Sequence, residues 1–140
     1  MTTYNDEQAP AQAGALPMTA AEFRCLREWL GLTTTWTARR LGVAERTVHR
    51  WEAGVMRVPA GVSDAMLALS EQTYGLLNAA VEQLLDTPDP VIETYRTDAD
   101  FHQHQPQADW PASWHRALAA RVAHEVPGGR IEFWAAPGPG

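Results

Sequence analysis

From Phe23 onward, apolar positions recur at helical spacing, and only near the C-terminus does the pattern turn strand-like. Phe23, Leu26 and Leu30 fall at i, i+3 and i+7, on one face of a helix. Thr19-Ala20-Ala21-Glu22 has the spacing of a capping box, in which hydroxyl and carboxylate each satisfy an orphan amide. Gly31 closes that helix. A second short helix fits Thr34 to Leu41 and stops at Gly42; a third runs from about Glu45 to Glu52 and stops at Gly54. Pro59 suits the first turn of a fourth. Val62, Met66, Leu69, Leu76, Leu77, Ala80 and Leu84 carry that helix to about Asp86. Gly75 inside it costs about 1 kcal/mol relative to Ala, so the stretch reads as one long helix or two. Thr87-Pro88-Asp89-Pro90 is a break. Val91 to Arg96, β-branched and aromatic, reads as a strand, and residues 97–109 as a polar loop. Trp110-Pro111 opens a helix to about Glu125, with Trp114, Leu118 and Val122 four residues apart. Pro127-Gly128-Gly129 is a turn, and Ile131 to Trp134 reads as a second strand.

The expected fold class is α+β, mostly α. Residues 1–17 read as a flexible leader, 18–86 as a helical domain, 87–135 as a small β–α–β part and 136–140 as a tail. About 45 residues hardly bury a stable core alone. The C-terminal part is therefore expected to pack on the long helix, on a second copy of itself, or both.

Composition changes the picture in one respect. The 140 residues carry a net charge of −6, and all eleven cations are arginine. Taken as an average, that argues against a nucleic-acid partner, since phosphate binding needs cationic surface. The average is misleading. Met18 to Val58 holds seven arginines against four glutamates, +3, while the remainder holds four arginines against thirteen acids, −9. Other counts exclude. The single cysteine, Cys25, permits no disulfide framework and no multi-cysteine zinc site within one chain. It sits beside apolar residues and reads as a small buried hydrophobe. No apolar run approaches about 18–20 residues, so no membrane span is expected. The N-terminus lacks the basic start and apolar stretch of a signal peptide, and a cytoplasmic protein is expected. No nucleophile–base pair, phosphate loop or carboxylate dyad stands at useful spacing. His102 and His104 find no third ligand nearer than His115 and His124. Neither enzyme activity, cofactor nor metal is expected.

The informative stretch is Leu30 to Gly54. Two short helices joined by a tight turn at Gly42-Val43-Ala44 are a helix-turn-helix pattern. Ala38 is small where the helices should cross, and Val43 and Val48 supply apolar pegs. Glu45, Arg46, His49 and Arg50 share the outer face of the third helix. Arginines at i, i+4 on such a face suit a major groove, where each guanidinium can bond guanine O6 and N7 together.

These residues resemble the Xre/phage-repressor type of helix-turn-helix, with the run L-T-x-x-x-x-A-x-x-L-G-V-S-x-x-T-[IV]-x-x-W-E-x-G. Leu32, Thr33, Ala38, Leu41, Gly42, Val43, Thr47, Val48, Trp51, Glu52 and Gly54 match, eleven over 23 positions. The resemblance implies a λ-repressor-like helical domain that binds double-stranded DNA. It implies base contacts by Arg46, Arg50, Glu45 and Thr47. Phosphate contacts fall to Thr34, Arg57, Arg39 and Arg40. It also implies a structural salt bridge between Arg27 and Glu52. Two positions depart from the pattern: Ala44 replaces the usual serine or threonine cap, forfeiting about 1 kcal/mol, and Thr34 replaces a longer glutamine. Trp36 stands where the motif usually has a polar residue, and reads either as exposed at the DNA backbone or as buried under the C-terminal part. Farther on, Val58-Pro59, Val62, Met66 to Leu69, Tyr95, Trp114 to Val122 and Ile131 to Trp134 resemble the YdiL-like repressors, a group that includes anti-CRISPR-associated regulators. That likeness implies a homodimer joined through the C-terminal part, with Tyr95, Trp114, Leu118, Val122 and Phe133 as dimerisation residues. It implies repression of the protein's own operon, in a phage or mobile element. Two other readings stand beside this one. An acidic C-terminal half could neutralise a basic toxin, or the basic face could bind RNA.

Overall fold

The computed structural model describes residues 16–138. The expected leader lies outside them, Leu16 and Pro17 apart, and the expected tail is described only to residue 138. The chain divides into two compact units, one ending at Gln72 and the other beginning at Thr73. The division falls inside the fourth helix rather than in the Thr87–Pro90 break.

In the first unit α1 spans Ala20–Trp29, α2 Thr34–Leu41 and α3 Glu45–Glu52. The capping box at α1 is formed: the Thr19 hydroxyl accepts from the Glu22 amide at 3.0 Å, and the Glu22 carboxylate accepts from the Thr19 amide at 2.9 Å. Thr33 caps α2 through the amide of Trp36. Gly42 ends α2 at φ 72°, a left-handed conformation that a side chain resists. It turns the chain so that Val43 donates back to Ala38 at 3.0 Å. α4 is one unbroken helix, Ala60–Leu84, through Gly75. Phe23, Leu30, Leu32, Leu41, Val48, Trp51, Val58, Val62 and Met66 are buried together in this unit, with Phe23 and Trp51 edge to face at 5.7 Å. Trp36 is buried too, so it is not held out at a DNA backbone. Cys25 is exposed, contrary to expectation. Phe23 is the buried residue of α1 and Leu30 is buried at its C-cap, and position 25 points off that stripe.

The second unit holds β1 (Val91–Thr94), α5 (Asp98–His104), α6 (Ala112–Glu125) and β2 (Arg130–Phe133). The strands pair in parallel, Val91 with Arg130 through Thr94 with Phe133. Parallel neighbours need a crossover, and α5 and α6 supply it. The expected polar loop thus contains a helix, α5. Thr97 caps it by accepting from the Asp100 amide, and Phe101 is its one buried residue. The unit's core is Leu77, Tyr95, Phe101, Trp114, Leu118, Ala119, Val122 and Val126. The last part of α4 belongs to it: the Trp114 indole donates to Thr73 Oγ1 at 3.1 Å inside the core. The C-terminal part does therefore pack on the long helix.

This packing corrects the dimerisation assignment. Tyr95, Trp114, Leu118 and Val122 are spent on the unit's own core, and only Phe133, 44% exposed, has surface to offer a partner. Helical periodicity marks a buried face but does not say what buries it. No helix among the described residues is long and apolar enough to cross a membrane.

Candidate nucleic-acid interface

α3 turns Val48 and Trp51 into the core and leaves Glu45, Arg46, His49 and Arg50 exposed, with Thr47 half-buried. Arg46 and Arg50, one turn apart, hold no ion pair among the described residues. Their guanidiniums are available to a ligand without breaking anything. Arg39 on α2 and Arg57 in the loop after α3 are exposed as well.

Glu45 is differently placed. Its carboxylate accepts from the Thr34 hydroxyl at 2.7 Å and the Thr35 hydroxyl at 2.9 Å, and lies 3.7 Å from His49 Nε2. The Thr34 bond, then that of Thr35, holds its pKa below the ordinary carboxylate value. Glu45 thereby ties the start of α3 to the start of α2. The same bond bears on Thr34: a hydroxyl has one proton, and here Glu45 takes it. Thr34 can donate to a phosphate only by releasing Glu45. Thr35 was missed in the sequence. No spacing along the chain marks it, since the contact is made across the α2–α3 crossing.

Arg40 has a neighbour of its own on α2. Its guanidinium lies 5.9 Å over the Trp36 ring, and it lines a shallow hollow with Leu41, Ala65, Leu69 and Gln72, on the α4 side of α2.

Arg27 and Glu52 meet behind this surface. Arg27 Nε and Nη2 both donate to the Glu52 carboxylate, the second at 3.0 Å, and Nη1 donates to the Leu32 carbonyl at 2.8 Å. Both side chains are nearly buried, 11% and 10% exposed. A bidentate arginine in this position joins α1, the α1–α2 turn and the end of α3. Its donors point at protein and not at a groove.

The histidines weighed as metal ligands have protein partners. His102 Nε2 is 2.9 Å from the Trp110 carbonyl, and His104 Nδ1 is 2.7 Å from the Tyr95 hydroxyl. Among the described residues no group of three or more His, Cys, Asp or Glu could hold a metal ion.

No curated protein matches the sequence. Residues 20–86 match the family model of a helix-turn-helix domain; this stretch of the chain is a helix-turn-helix domain, which suggests a DNA-binding regulator.

Proposed function

We propose that the protein is a sequence-specific transcriptional repressor that binds an inverted-repeat operator as a homodimer. The observation that carries the reading is the outer face of α3: two exposed arginines at i, i+4, without an ion pair among the described residues, opposite a buried Val48–Trp51 face. A helix so anchored can present this face to a major groove, where fork-shaped donors read guanine. Two copies related by a two-fold axis would read half-sites about 34 Å apart, or a multiple of that. Repression would be steric, by a dimer occupying a promoter. In this reading the promoter is the protein's own, in a phage or mobile element, as the likeness to YdiL-like and anti-CRISPR-associated repressors implies.

Footprinting of the full chain on the intergenic DNA upstream of its gene tests the reading. Protection of an inverted repeat is expected, and absence of any protected repeat overturns it. At residue level, Arg46→Ala should weaken operator binding by about 1–3 kcal/mol and relax one base preference, with thermal stability unchanged. Operator affinity equal to that of the unsubstituted protein would remove Arg46 from the interface.

A further inference from the structure

The two-stranded sheet of the second unit ends in an open edge. All four residues of β2 are exposed. The Arg130 and Trp134 amides donate to β1, to the carbonyls of Pro90 and Thr94 at 3.0 and 2.8 Å. Backbone groups alternate along a strand, so those of Ile131 and Phe133 point outward, away from β1. Side chains divide the other way, between the two faces. Ile92 and Thr94 share the covered face with Ile131 and Phe133, and Thr94 is buried. On β2 the cover thins: the Arg96 guanidinium lies 4.2 Å over the Phe133 ring, and Ile131 and Phe133 are each 44% exposed. The uncovered face carries Val91, Glu93, Arg130 and Glu132. There Glu132 lies beside Glu93, a like-charge pair, and among the described residues neither Arg130 nor Glu132 has an ion partner.

We propose that β2 pairs antiparallel with β2 of a second copy, in the register that sets Ile131 opposite Ile131 and Arg130 opposite Glu132, to make one four-stranded sheet. The inference rests on the homodimer reading above and assigns its interface. Three features select this edge and register. The outward amide and carbonyl of Ile131 would exchange both bonds with their symmetry mates, as an antiparallel hydrogen-bonded pair requires. Arg130 of each copy would stand beside Glu132 of the other, where its charge offsets the Glu93–Glu132 repulsion. A register shifted by one pair sets Glu132 against Glu132, and a further shift leaves no opposite charges facing. The outer edge of β1, Val91-Ile92-Glu93-Thr94, holds no cation and gives no register with complementary charge. On the covered face, Ile131 and its mate would close over each other. Open, unprotected strand edges are also the surfaces that chains pair through.

The test is a charge-reversal cycle on the full chain, read by sedimentation equilibrium, with amide spectra to show that each variant is folded. Both residues are exposed, so the fold does not depend on them. Arg130→Glu puts two like-charge pairs across the two-fold axis and should weaken dimerisation about tenfold or more; Glu132→Arg should do likewise. The double variant exchanges the charges and should recover the parent's dimerisation to within about threefold. Ile131→Cys in a Cys25→Ser background should cross-link on oxidation, because facing Cα atoms in such a pair are about 5.5 Å apart. A parent that stays monomeric at all concentrations overturns this interface and the homodimer reading together. A parent that dimerises, with single reversals that do not weaken it or a double that does not recover, overturns the β2 interface alone.

Discussion

Two arginines of the first unit carry the same charge and do opposite work. Arg46 is exposed and has no ion pair among the described residues; Arg27 is nearly buried and gives three donors to Glu52 and Leu32. Substituting them should separate stability from binding. Arg27→Met removes one partner of a nearly buried pair and leaves the Glu52 carboxylate only the exposed Arg24 guanidinium, 4.0 Å away, a change that costs about 3 kcal/mol. Denaturant unfolding should show that loss, while DNA affinity measured well below the transition stays near that of the parent. A variant as stable as the parent would mean that the bridge holds nothing together. The sequence revealed the partners because an acid and an arginine stood at the places the motif reserves for them. It did not reveal that Glu45 accepts from Thr34 and Thr35. That contact depends on how α2 and α3 cross, which residue types at a given spacing do not specify.

At the scale of elements, boundaries were legible wherever local chemistry punctuates the chain. Thr19, Thr33 and Gly42 mark helix ends through side-chain bonds and a positive φ, and both are written in residue type. α5 was not legible because its seven residues bury only Phe101 and so show no period; its sole mark is the Thr97–Asp100 cap. α3 shows the converse, a helix without its cap. Ala44 already has the N-cap backbone, φ −70° and ψ 148°, yet has no side chain to bond the amides of the first turn. Ala44→Ser therefore adds the acceptor with no rearrangement, and should stabilise the domain by about 1 kcal/mol. A raised midpoint in chemical denaturation with an unchanged slope is the expected result. An unaltered midpoint would mean that the first-turn amides of α3 are satisfied by other means.

Over the whole molecule, the two units differ in charge and should therefore differ in their response to acid. In the second unit, burial pushes the His115 pKa down to about 4 from 6.5, and its Nδ1 lies 2.7 Å from the Thr94 hydroxyl. The folded unit keeps this imidazole neutral below pH 6.5, where the unfolded chain protonates it. The unfolded state thus binds more protons between pH 6.5 and about 4, and stability falls as pH falls through that window. The full shift corresponds to about 3 kcal/mol, and to about 2 once partial exposure is allowed for. In the first unit the Thr34 and Thr35 hydroxyls lower the Glu45 pKa from 4.5. Its contribution is intact above pH 4.5 and is lost only below it. Acid should therefore loosen the second unit first. Trp110, Trp114 and Trp134 report on that unit, and Trp29, Trp36 and Trp51 on the first. Followed from pH 7 to pH 4.5, the indole resonances of Trp110, Trp114 and Trp134 should broaden while those of Trp29, Trp36 and Trp51 stay sharp. If β2 joins two copies, the dimer should weaken over the same window, because β1 is held to α6 through Thr94 and His115. His115→Gln, which cannot take up the proton, should flatten the pH dependence of the second unit. Simultaneous loss of both sets of resonances, or an unchanged slope in the variant, would show that His115 does not set the order.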